Sequence, residues 1–110
     1  MRRLGFLVAL LASAPALAQG VAEGRSAELV RIVRQDCGSC HGMRLTGGLG
    51  PPLTREALAG KPVDALVATI VHGRPGTPMP AWRGLLSDAE ATWIAEQLAG
   101  GFPEQRSARR

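Results

Sequence analysis

The sequence predicts an all-α fold with three main helices, and three observations carry that prediction. Apolar residues recur at helical spacing in residues 27–36, 63–72 and 87–98. The stretches between them are rich in Gly and Pro and show no alternating strand pattern. The run Cys37-Gly38-Ser39-Cys40-His41 follows directly on the first helix, and C-x-x-C-H is the attachment signature of a c-type haem. Near a helix end, residues i, i+3 and i+4 share a face, so two thiols can each add across a haem vinyl group while the adjacent imidazole reaches the iron. The three helices are therefore expected to pack around one covalently attached haem c, held through Cys37, Cys40 and His41.

Three other uses of the same residues compete with haem. A redox dithiol normally opens a helix after a strand, where the helix dipole lowers the thiol pKa, and no strand precedes Cys37 here. A structural zinc site would have to gather Cys37, Cys40, His41 and His72, the full set of Cys and His residues. A disulfide across C-x-x-C closes a very small loop and would stabilise little.

Taken in order, the chain opens with Met1-Arg2-Arg3, an apolar run from Leu4 to Ala12, and Ala16-Leu17-Ala18. This reads as a secretory signal peptide over residues 1–18, too short in its apolar run to span a bilayer. The mature protein is expected to be periplasmic, without a stable membrane anchor. Residues 27–36 form the first helix, with Ser26 as N-cap, Leu29, Ile32 and Val33 on one stripe, and Arg31 and Arg34 facing out.

After His41, residues 42–53 form a glycine-rich loop. A carbonyl held by the rigid Gly50-Pro51 turn can accept the Nδ1 proton of His41, leaving Nε2 free for iron. The alternative use of these prolines is to shape a surface turn. A short helical piece spans residues 55–58 and ends at Gly60. The middle helix spans 63–72, with Pro62 near its first position, Asp64 in its first turn and Gly73 as its stop.

Residues 73–82 carry three prolines and cannot be regular structure. Met79 lies in the middle of this constrained loop, and methionine sulfur suits haem iron in cytochromes. Met1 leaves with the leader and Met43 is only two residues from His41, so Met79 is the plausible distal thioether; His72 or an open position are the other options. The last helix opens on the capping box Ser87-Asp88-Ala89-Glu90 and ends at Gly100-Gly101. Its Trp93 and Ile94 are expected to pack on the first helix.

Composition bounds the rest. The 110 residues suit one domain, placed at 19–101, followed by a flexible basic tail at 102–110. The formal net charge is +4 with 13 basic and 9 acidic residues, and loss of Arg2 and Arg3 with the leader reduces it to +2. No nucleic-acid footprint is present. After the leader the only aromatics are Trp82, Trp93 and Phe102. A domain this small buries a thin core, so a macrocycle is expected to supply the missing apolar surface.

With these motifs in this order, residues 25–101 resemble a class I cytochrome c. The resemblance implies that the first and last helices cross, that the middle helix lies beside the haem, and that His41 and Met79 are the axial iron ligands. It also implies that the Pro51 carbonyl is the His41 partner and that Trp82 lies on the propionate side. Residues 35–62 and 72–101, especially GGLGPPLT and GRPGTPMPAWRG, are similar to the NirC-type small cytochromes found with the dissimilatory cytochrome cd1 nitrite reductase of denitrifying bacteria. That similarity implies a monomeric single-electron carrier rather than an enzyme. Its partner would be nitrite reductase or the proteins that mature haem d1, and its two suggested roles are donation to the reductase and haem d1 maturation. A ligand-binding sensor or peroxidase-like haem enzyme would need an open iron position, and no acid or base stands in the Met79 loop to serve it.

Overall fold

Leu29 and Val33, four residues apart, give the first helix its buried stripe. In the computed structural model, which describes residues 21–103, both are fully buried. That helix, α1, runs Glu23–Ile32 and continues without a break through a π-helical turn, Val33–Cys37, into α2, Gly38–His41. The later helices are α3 (Arg55–Leu58), α4 (Val63–His72) and α5 (Asp88–Ala99). All regular structure among the described residues is helical, so the all-α expectation holds. None of these helices is long and apolar enough to cross a membrane.

The first helix starts four residues earlier than its sequence suggests. Ala22 is the N-cap, and Ser26 lies inside the first turn, its amide bonded to the Ala22 carbonyl at 2.8 Å. The Ser26 hydroxyl donates to the Glu23 carbonyl at 2.6 Å and so does not cap. The extra turn brings Arg25 within reach of α5.

The α4 and α5 boundaries follow cap chemistry. Pro62 precedes α4 and Gly73 ends it at φ +69°; Thr54 caps α3 by accepting from the Ala57 amide at 3.2 Å. At α5 the capping box is complete: Ser87 Oγ accepts from the Glu90 amide at 3.1 Å, and Glu90 Oε1 accepts from the Ser87 amide at 2.9 Å. The second oxygen of Glu90 pairs with Arg25, which also reaches Glu28 at 2.8 Å. One carboxylate thus caps α5 and ties it to α1.

The Arg25 hydrogen bond, followed by that from the Ser87 amide, holds the Glu90 carboxyl down at about 2 from an ordinary 4.5. A depressed carboxylate pKa contributes stability that is present above 4.5 and lost as pH falls toward 2. Glu90→Gln keeps the capping geometry and removes the ion pair. The stability gap between wild type and Glu90→Gln is therefore expected to shrink across that acid range, measured by denaturant unfolding at several pH values. A gap independent of pH would contradict this linkage.

The core gathers Leu29, Val33, Leu45, Leu58, Leu86, Ile94 and Leu98, with Trp82, Trp93, Leu66 and Ile70 packed at its edge. It lies where α1, α3, α5 and the loops meet, and α4 packs along α5. Arg34 does not face out as helical spacing predicts. Its Nη2 donates to the Pro103 carbonyl at 2.5 Å, and its guanidinium sits 5.0 Å from the Phe102 ring centroid. The last turn of α5 carries no basic residue, so Arg34 supplies positive charge near that helix end. Phe102 packs against the core. The leader expected over 1–18 and the rest of the tail expected over 102–110, from 104 on, lie outside the described residues.

Candidate haem-binding site

The π-turn delivers the cysteines. The Gly38 amide is shared between the Val33 and Gln35 carbonyls, and the Ser39 hydroxyl donates to the Asp36 carbonyl at 2.8 Å, securing the turn that separates the two thiols. A π-turn holds one more residue than an α-turn and so resets which side chains follow the Leu29–Val33 stripe. Cys37 is half-buried, Cys40 is exposed, and both are free thiols. Burial, then Asp36, pushes the Cys37 thiol up to about 11. A redox dithiol needs the opposite shift. Among the described residues, no group of three or more Cys, His, Asp or Glu side chains is gathered to hold a metal ion, so the zinc arrangement does not form.

His41 closes α2 and is buried, with Nδ1 2.7 Å from the Pro51 carbonyl. With Nδ1 protonated, it donates to that oxygen and leaves the Nε2 lone pair free. The loop that supplies the carbonyl is folded back on the helix end. The Gly50 amide donates to the Cys40 carbonyl at 2.7 Å, and the Gly47 amide donates to the His41 carbonyl at 2.8 Å. A Cβ at Gly50 would fall 2.8 Å from the His41 ring, so glycine permits the approach of loop to imidazole.

Leu45, in the same loop, is 2% exposed and sits at φ +59°, a left-handed conformation that costs about 1 kcal/mol or more for a branched side chain. Burial of its side chain in the core offsets that cost. The glycine-rich composition of this segment conceals a core residue, and only the apolar type of Leu45 among glycines signals it.

The distal candidate is held by its own loop. The Arg74 amide donates to the Met79 carbonyl at 3.2 Å, the Met79 amide donates to Thr77 Oγ1 at 3.3 Å, and Thr77 Oγ1 donates to the Arg74 carbonyl at 2.7 Å. Met79 is half-buried. Trp82 anchors the exit of the loop, its amide bonded to the Ile70 carbonyl at 3.0 Å and its ring packed at the core edge. His72 is exposed and lines a groove of about 310 Å³ between α4 and α5, with Asp64, Val71, Asp88 and Thr92. Met43 is 84% exposed.

These residues fit a c-type haem. The donors are two free thiols, an imidazole with Nδ1 committed to a carbonyl, and a thioether in a constrained loop, a set that suits haem iron. Leu53, Leu66, Ile70 and Trp82 are only partly buried and leave apolar surface for a macrocycle to cover.

Comparison with known proteins agrees. The family model described as cytochrome C oxidase, cbb3-type, subunit III matches residues 24–97. The chain is 53% identical over 103 residues to cytochrome c55X of Stutzerimonas stutzeri, covering 93% of this chain and 91% of that protein. A solved structure of the c-type cytochrome NirC is similar at 57% identity and a TM-score of 0.72, covering 73% of this chain and 94% of that one. The chain is also 39% identical over 106 residues to the dihydro-heme d1 dehydrogenase of Pseudomonas aeruginosa, covering 96% of this chain but 20% of that larger protein. The C-x-x-C-H helix end, the helical fold and these relatives converge: the chain belongs to the NirC-type small c-type cytochromes, electron carriers with a covalently bound haem c.

Proposed function

We propose that this cytochrome carries single electrons in the periplasm as a monomer, exported by the leader at residues 1–18, and serves the cytochrome cd1 nitrite reductase system. In this reading Cys37 and Cys40 hold the haem through thioethers and His41 and Met79 are its axial ligands, with Trp82 on the propionate side. When bound, the haem supplies a one-electron couple whose potential the protein tunes. The observation that carries the reading is the 2.7 Å contact of His41 Nδ1 with the Pro51 carbonyl, which fixes the imidazole orientation and tautomer that iron ligation needs. The half-buried Met79 in a loop pinned by Arg74 and Thr77 supports a six-coordinate site, which suits electron transfer rather than ligand binding.

The setting has two versions. The similarity of GGLGPPLT and GRPGTPMPAWRG to the NirC-type pattern supports both donation to nitrite reductase and maturation of its haem d1. Maturation of haem d1 is favoured by the likeness to part of a dihydro-heme d1 dehydrogenase, in which a domain of this kind is joined to haem d1 chemistry. Deleting the gene separates them. Reductase fully loaded with haem d1 but slow to receive electrons supports donation, and reductase lacking haem d1 supports maturation. Unchanged haem d1 content together with unchanged nitrite turnover would contradict both.

A further inference from the structure

We infer that a second cleft binds a small organic polyanion, a compound carrying two or more carboxylates on an apolar body. The cleft lies where the loop after His41, the start of α3 and the end of α5 meet, and has a volume of about 830 Å³, within the range of small-molecule sites. None of Cys37, Cys40, His41 or Met79 lines it. Its charges are unbalanced. Arg34, Arg44 and Arg55 enter it from three separate elements, the π-turn, the loop and α3, against the single carboxylate of Glu56. Among the described residues none of these three arginines makes an ion pair; the pairs that form belong to Arg25.

Arg34 is held in place, its guanidinium 5.0 Å from the Phe102 ring centroid and its Nη2 bonded to the Pro103 carbonyl. Its Nε is buried and has no hydrogen-bond partner among the described residues. Arg55 reaches the same wall, since a Cβ on Gly101 would lie 4.0 Å from its Cδ. A guanidinium partly withdrawn from water without a counter-charge is costly, and two further cations in the same cleft add repulsion. An anion among them relieves both costs. The rest of the lining defines that anion. Thr46 and Thr54 bring hydroxyls, and Thr54 Oγ1 accepts from the Ala57 amide, which leaves its proton to donate. Leu45, Leu53 and Phe102 bring apolar surface. Planar guanidiniums bind carboxylates in a two-pronged fashion. Three of them from three elements, facing an apolar wall, suit separate carboxylates on a hydrocarbon or aromatic frame better than one compact inorganic anion.

The test is titration of the full-length ferrous holoprotein with benzene-1,3,5-tricarboxylate at low salt, read by amide NMR shifts. Saturable binding is expected with a dissociation constant below about 1 mM, moving the amides of Thr46, Arg55 and Gly101 and leaving the visible spectrum unchanged. Arg44→Gln/Arg55→Gln, at two exposed positions, should weaken binding about tenfold or more through the loss of charge-assisted hydrogen bonds. Arg31→Gln, an exposed change on α1 outside the cleft, should leave it intact. Inorganic phosphate and the neutral benzene-1,3,5-tricarboxamide should each bind about tenfold more weakly or worse than the tricarboxylate. The absence of saturable shifts, equal affinity for phosphate or for the tricarboxamide, or unchanged affinity in the double variant would each overturn the site. So would binding that appears only once residues 104–110 are removed, since the cleft would then belong to the chain's own tail.

Discussion

Replacing Cys37 and Cys40 together by serine is expected to leave the chain without a cooperative fold. The variant should lose its native helical circular dichroism and its melting transition. The protein part of the core is thin: Leu29, Ile94 and Val33 are the largest side chains fully removed from solvent. Around them Leu53, Leu66, Ile70, Trp82 and Trp93 are only partly covered. A small domain retains on the order of 5 kcal/mol of net stability, and a macrocycle contributes apolar contact of the same order or more. Without covalent attachment, that contact is lost together with the link from α2 to the prosthetic group. A double-serine variant with native circular dichroism and a sharp melt would show that the helices stand alone.

Gly73→Ala is expected to be strongly damaging for a change of a single methyl group. Gly73 adopts φ +69° and ψ −168°, a region open essentially to glycine alone. An added Cβ would also fall 2.7 Å from the Met79 carbonyl oxygen and the Pro80 carbonyl carbon, both backbone atoms that cannot swing aside. Backbone strain and overpacking together amount to about 2–4 kcal/mol, a drop in Tm of roughly 10–20 °C for a domain this size. The Met79 loop should be displaced with it. Gly76 provides the comparison: its φ is +78°, but nothing lies within 4 Å of an added Cβ. Gly76→Ala should therefore cost only the backbone term, about 1 kcal/mol. Equal losses in the two variants would show that the close approach to Met79 does not matter.

The parts of the fold that local chemistry determines were legible in the sequence. Ser87 with Glu90, and Pro62 with Gly73, mark α5 and α4 because caps satisfy backbone groups that the helix leaves open. The helix end at C-x-x-C-H and the Gly50-Pro51 turn point to neighbouring positions, and the structure brings His41 and the Pro51 carbonyl together. What could not be read depends on partners distant in the chain. The α1 start is displaced because Ser26 bonds to Glu23 instead of capping, while Arg25 finds Glu90 sixty-five residues away. Periodicity does not reveal the π-turn, since the turn begins at Val33, where the apolar stripe ends and Arg34, Gln35 and Asp36 follow. Arg34 belongs to that turn, and its contacts with Phe102 and Pro103 close a connection that no local rule describes.

The central claim is a six-coordinate centre with His41 and Met79 as ligands, and the optical spectrum of the ferric holoprotein tests it most directly. The wild-type protein should be low-spin and show the weak far-red band characteristic of methionine sulfur on haem iron, and Met79→Ala should lose that band while keeping its covalent haem. Persistence of the band in Met79→Ala, or its absence from the wild-type protein, would contradict the account.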